Sequence, residues 1–323
     1  MTTWSLVAPL PRPGRWHRPL LIFAVAMVVL AVAATAAAVV DPREVTGAGA
    51  WLKPLKFAIS GAFYTLTLAW IIGQVQRGRR IADRAGTWVA ISLSVEIVLI
   101  FILAGLGQSS HFNITTPLHT AVWAVMAASI TLVWIMTLLI AAAVIRDPGP
   151  DPARTLAART AVILALIGLA LGFLMTLPTP GQLDDFEGIV GAHAVGIPDG
   201  GPGLPLVGWS TVGGDLRIPH FIGMHALQVI PLALLALELL ARCIPPLADP
   251  RIRLEVLTVV IITFSATLVT VTVQALLGQS IVQPSGGVLV AGIAIALGAG
   301  TAITIILFRK RTRRPDVAPV DSR

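Results

Sequence analysis

The chain has a single cysteine, Cys243, in 323 residues. That excludes an internal disulfide and any cluster of thiolates on a metal. Charge is scarce as well: Asp, Glu, Lys and Arg make up 12% of the sequence, against 56% apolar residues. A soluble domain carries about a quarter charged residues, so this composition belongs to a membrane protein. No Gly-rich phosphate loop, nucleotide fold or serine-nucleophile elbow occurs, and nothing implies an ATP-driven machine. No basic face with interleaved aromatics occurs either, so the net charge of +7 does not indicate nucleic acid.

What the chain has is long apolar runs. A spanning helix needs about 20 apolar residues, and the sequence supplies eight such stretches: 20–40, 54–75, 87–106, 118–145, 159–177, 218–241, 254–278 and 287–308. Helices are the expected spanning element, because each span must satisfy its own backbone groups in lipid. The fold class read from the sequence is therefore all-α integral membrane, an eight-helix transmembrane bundle. The segments between spans differ sharply in charge. Of 23 Lys and Arg, all but Arg43, Lys53, Lys56 and Arg217 fall in alternate segments, on the side of the chain ends. Basic loops resist translocation, which predicts both termini in the cytoplasm of a bacterial cell, in its cytoplasmic (inner) membrane. Residues 1–19 then form a cytoplasmic segment, 20–308 the membrane domain, and 309–323 a basic, Pro-containing tail expected to be disordered. The N-terminus resembles a signal peptide, but its apolar run exceeds the usual ~7–15 residues, so an uncleaved first span is expected. The longest outer loop, 178–217, is rich in Gly and Pro, and its Trp209 and His193 suggest a folded cap.

Two echoes point to tandem halves. The third span ends Leu106-Gly107-Gln108-Ser109 and the seventh ends Leu277-Gly278-Gln279-Ser280. The second opens Leu52-Lys53-Pro54-Leu55-Lys56-Phe57 and the sixth Leu216-Arg217-Ile218-Pro219-His220-Phe221, which sets Lys56 opposite His220. Four spans per half predict parallel repeats about an axis along the membrane normal.

The residues that could carry chemistry gather on the outer side. Each even-numbered span has a proline near its outer start (Pro54, Pro117, Pro219, Pro284), where the missing N–H costs nothing. The helix N-termini there favour anions, and Lys53, Lys56 and Arg217 lie at the same level as candidate contacts for carboxylates, propionates or phosphates; snorkelling of these cations is the alternative. Of six histidines only His17 is on the cytoplasmic side, where it is expected to be solvated. His119 and His225 lie inside spans four and six, and His220 sits near the start of span six. Polar groups at such depth usually face the bundle interior, and two imidazoles from two helices are what a b-type haem needs. His119, His225 and His220 are therefore the candidate cofactor-binding residues, with haem b as the possible cofactor; histidines hydrogen-bonding across helices are the plainer reading. A metal site from His193, Asp184, Asp185 and Glu187 matches no strong signature, and no metal is expected. Further intramembrane polar residues are Glu96, in mid-span three, Gln228, one turn after His225, and Gln274 at the outer end of span seven. Glu238 reads as an i,i+4 partner of Arg242.

These features resemble the haem A synthase family. Gln274-Ala275-Leu276-Leu277-Gly278, followed by Ile281-Val282, looks like that family's Q-x-x-L-G type motif on odd helices. Pro117-Leu118-His119 is similar to its histidine on the fourth helix, and His225 to the one on the sixth. The resemblance implies eight spans, cytoplasmic termini, two tandem four-helix halves and haem bound toward the outer ends of even helices. Histidines on spans two and eight, paired cysteines in the first outer loop and the glutamate of span two have no counterpart here, so haem A synthesis itself is not implied. Three functions follow as expectations: a haem or quinone protein of the redox class, a proton-coupled transporter or lipid-handling protein for an anionic ligand with Glu96 as the coupling group, and a non-catalytic subunit docked to a membrane-complex partner.

Overall fold

A computed structural model of the protein describes residues 15–149 and 151–309; the expectation for the 309–323 tail falls almost wholly outside the described residues. Nine helices occur among them: α1 (Arg18–Val40), α2 (Leu52–Gln74), α3 (Arg79–Gly105), α4 (Pro117–Arg146), α5 (Pro152–Leu171), the short α6 (Pro180–Asp184), α7 (Arg217–Leu240), α8 (Pro250–Leu276) and α9 (Gly286–Phe308). All but α6 are long and apolar enough to cross a membrane. The protein is a polytopic, all-α membrane protein. Four two-residue strands pair as two hairpin-like ribbons, Glu44–Val45 with Ala48–Gly49 and Ala194–Val195 with Gly214–Asp215.

Helices begin earlier than hydropathy alone indicates, because polar caps extend them beyond the apolar slab. α3 starts at Arg79, with Arg79 bonded to Asp83 one turn on at 2.9 Å. α5 starts at Pro152, where the Asp151 side chain accepts from the Ala153 and Arg154 amides. A carboxylate there satisfies orphan N–H groups and opposes the helix dipole. Of the four outer prolines only Pro117 occupies the first helical position. Pro54 and Pro219 are third, still within the turn whose N–H groups lack partners, and Pro284 precedes the Ser285 cap of α9.

The two halves pack alike. α1 lies on α2, α2 on α3, α1 on α3 and α3 on α4; in the second half α5 lies on α7, α7 on α8, α5 on α8 and α8 on α9. Across the halves, α2 meets α7 and α4 meets α5. The Leu-Gly-Gln-Ser echoes fold identically: Gly107 and Gly278 have φ of 69° and 71°, and Gln108 N–H and Gln279 N–H reach back to Leu103 O and Gln274 O at 2.8 and 3.1 Å. This is a Schellman cap, which needs a residue in the left-handed region. The common core is aliphatic, with Leu68, Ile72, Ile140, Ala161, Leu227 and Leu257 fully buried.

On the face that holds the chain ends, basic residues do more than mark topology. The His17 ring is buried rather than solvated. Its Nδ1 accepts from Leu20 N–H, so Nε2 donates to Asp83 O at 2.8 Å and joins α1 to α3. Glu238 is bound not by Arg242 but by Arg154 of α5, in a bidentate pair at 3.1 and 3.0 Å. The nearer residue in sequence was displaced because the α5–α7 contact brings Arg154 level with the last turn of α7.

Candidate functional site

The polar residues of the opposite face assemble around Glu96. It lies nine residues before the end of α3, roughly 14 Å below that end at 1.5 Å per residue, and is only 2% exposed. Neither carboxylate oxygen has a hydrogen-bond partner. The nearest charged or titratable group is His111, from the loop between α3 and α4, with Nε2 3.3 Å from Oε1. His111 Nδ1 in turn lies 3.0 Å from Lys53 Nζ and 3.0 Å from Ser110 Oγ. Lys53, in the first turn of α2, therefore points down toward the ring rather than out to the interface.

Local backbone geometry makes this possible. After the Gly107 cap the chain turns inward, and Phe112 sits at φ 68°, a strained conformation for a residue with a Cβ. That twist buries the Phe112 ring between Trp123 and His193, at centroid distances of 5.5 and 5.0 Å. It leaves His111 packed between Phe57 and Trp123 at 5.8 and 5.5 Å. The long loop clamps the turn from above, since Ile114 N–H donates to Gly188 O and Val190 N–H to Phe112 O. Gly191 has φ 108°, and a Cβ there would strike Met175 O and the Phe112 ring.

The same loop is built on two carboxylates. Asp199 accepts from the His193 and Ala194 amides and from His193 Nδ1 at 2.7 Å. Asp215, fully buried, accepts from Ser210 N–H and from the Arg217 guanidinium. Arg217 also donates to Gly208 O at 2.6 Å, and Lys56 to Val207 O at 3.0 Å. Lys53, Lys56 and Arg217 thus converge at the starts of α2 and α7, each holding part of the protein's own loops.

The candidate ligands are dispersed. His119 is at the surface of α4, with Nδ1 2.8 Å from Thr116 Oγ1 and Nε2 3.2 Å from Gln108 Oε1. His220 donates from Nδ1 to Gly168 O of α5 at 2.8 Å. His225 donates from Nδ1 to Phe221 O, one turn back, at 2.7 Å. Gln228 Nε2 donates to Phe63 O of α2 at 3.2 Å. Gln274 is buried and donates to Ser280 O at 2.7 Å, tying down the turn after α8. His193 pairs with Asp199, not with Asp184, Asp185 or Glu187, and among the described residues no group of three or more His, Cys, Asp or Glu could hold a metal ion. His111 is the residue that sequence reasoning passed over. Its only signal was its place beside Phe112, just after a Gly-capped helix end.

Burial drives the His111 pKa well below the ordinary imidazole value, and the Lys53 and His193 charges add to this. His193 is lowered too, burial outweighing Asp199. Asp199 sits at about 2: burial pushes it up, but the His193 ring and the two amides pull harder. The sign of the pH dependence follows. Below about 6.5 an unfolded imidazole takes up a proton, while these two, in the folded α3–α4 loop and in the long loop that clamps it, do so only at lower pH. The unfolded state binds more protons in that window, so the cap loses stability as pH falls through it. Asp199 contributes stability above 3.8 that is lost toward about 2. Hydrogen exchange over residues 178–217, corrected for intrinsic rates, should be several-fold faster at pH 5.5 than at 7.5; equal corrected rates would contradict this account.

Comparison of the chain with protein-family models, curated proteins and solved structures finds no match.

Proposed function

We propose that this protein couples protonation of Glu96 to movement of a ligand through or within the bilayer, as a proton-linked transporter or lipid-handling protein. The observation that carries this reading is the contact chain Glu96–His111–Lys53, with steps of 3.3 and 3.0 Å. Three titratable groups in line connect mid-bilayer depth to the membrane face. A carboxylate buried without donors is costly when charged, by several kcal/mol. A group under that tension responds to any rearrangement that brings a donor, a cation or water. Such groups inside membrane helices typically mark proton paths. The Arg-rich face supports cytoplasmic chain ends by the positive-inside rule, in a bacterial cytoplasmic membrane, which sets Lys53 and the cap on the outer side.

The test is proton flux in proteoliposomes containing a pH-sensitive dye, under an imposed potassium diffusion potential, with a panel of carboxylates, phosphate esters and lipids added outside. The wild-type protein should move protons with at least one of them, and Glu96→Gln, which keeps shape but cannot ionise, should reduce the flux at least tenfold. Equal flux in the variant removes the proposal.

Haem binding by His119 and His225, in the manner of a diverged haem A synthase relative, is the second reading. It is favoured by the free Nε2 of His225, and it requires the His119 ring to leave Gln108. A Soret band in the purified protein would bring it forward.

A further inference from the structure

Phe221, His225 and Gln228 follow one another at i, i+4 and i+7 on α7, and so share a face. That face looks toward α2, because Gln228 donates across to Phe63 O. It lies at the contact between the two halves, with Phe221, His225 and Gln228 roughly 6, 12 and 16 Å below the start of α7 by helix rise. Two acceptors are left there. Phe221 O can only accept, so the His225 proton is on Nδ1 and Nε2 carries a lone pair. Gln228 Oε1 is buried with no hydrogen-bond partner. A buried acceptor without a donor is costly, and one beside a second open acceptor describes a site lacking its donor. Aromatic rings frame it: Phe221 stacks on the His225 ring at 4.0 Å, and Trp209 from the long loop meets Phe221 edge-on at 5.6 Å.

We infer that this face of α7 binds a lipid-soluble phenolic head group, of the hydroquinone class, one hydroxyl of which donates to the acceptor pair His225 Nε2 and Gln228 Oε1. The chemistry disfavours charged ligands. A carboxylate or a fully ionised phosphate brings only lone pairs to two lone pairs. An ammonium would have to pass Lys56 and Arg217, which stand at the starts of the two helices that form the site. A neutral aromatic hydroxyl supplies the missing donor, stacks against Phe221 and Trp209, and reaches this depth from the hydrocarbon. The site involves neither Glu96 nor His111, so its failure leaves the proton reading standing.

The experiment is equilibrium binding of decylubiquinol to the detergent-purified full chain, under anaerobic conditions, followed by tryptophan quenching. The di-O-methyl ether of the same compound, which has no donors, controls for partition into micelles. The hydroquinone should bind saturably and at least tenfold more tightly than the ether. Gln228→Leu and His225→Leu should each abolish that preference, and Gln228→Leu should do so with little change in the unfolding temperature, since removing the unpaired Oε1 offsets the lost bond to Phe63 O. Equal affinity for hydroquinone and ether, or a preference that survives both substitutions, overturns the inference. A wild-type protein that shows no saturable binding of the hydroquinone also overturns it.

Discussion

Adding one methyl group at Gly168 should unfold this protein at a markedly lower temperature in detergent. α5 and α7 cross with Gly168 against Gly223. A Cβ on Gly168 would run into the backbone of Gly223 and Met224, and one on Gly223 would come within 2.5 Å of Gly168 Cα. Backbone cannot rotate away as a side chain can, so Gly168→Ala must push the two helices apart. Lipid tails supply no hydrophobic force to hold helices together, and packing of small residues does much of that work. Overpacking typically costs 1–3 kcal/mol; with backbone on both sides, about 3 kcal/mol is expected. The separation also breaks the 2.8 Å bond from His220 to Gly168 O. The matched control is Gly298→Ala in α9, where nothing lies within 4 Å of the added atom. There the change removes a helix-weakening glycine and should stabilise slightly, by at most about 1 kcal/mol. Similar melting shifts in the two variants would show that the close crossing is not what holds α5 to α7.

The second large effect is expected at the other end of the same helix pair. Glu238 is 8% exposed and held by the two-pronged Arg154 contact. Arg154→Ala leaves a buried carboxylate without its guanidinium, and breaking such a pair costs about 3–5 kcal/mol. The pair as a whole is worth far less, since desolvation offsets most of its attraction. The double variant Arg154→Met with Glu238→Leu should therefore recover most of the lost unfolding temperature. If the double variant melts no higher than Arg154→Ala, the loss came from packing of the arginine stem and not from the stranded charge.

How much of this could be read from the residues depends on the range of each interaction. The spans were legible because hydropathy is local, and their ends were displaced most where Arg79, Asp151 and Asp249 start a helix ahead of the apolar run, and where α5 stops at Leu171 and gives way to a 3-10 turn over Gly172–Thr176. The Leu-Gly-Gln-Ser echo predicted a repeated helix end, because a Schellman cap is written in a few adjacent residues. Glu96 stood out as an acid in an apolar run. Its neighbour His111 did not, since the contact depends on the left-handed turn at Phe112, and no spacing rule announces that turn. Glu238 was matched to Arg242 by helical periodicity, yet its partner comes from a helix 84 residues away. The cations Lys56 and Arg217 looked free for an anion because the sequence does not show that the long loop bends back to offer them Val207 O and Gly208 O.

α9 differs from every other spanning helix. Val288 is its one buried residue. Its Ile303, Ile306 and Leu307 pack against a small cluster of Ala241, Leu247, Ile252 and Val256, with the Arg309–Glu255 bond at its end. Of the two steps by which helical membrane proteins form, insertion and then association, α9 relies on the first for its exposed faces and on the second along its contact with α8. In terms of assembly, α9 is the spanning helix that leaves most of its surface to the hydrocarbon, so its place depends on partitioning as well as on its packing against α8.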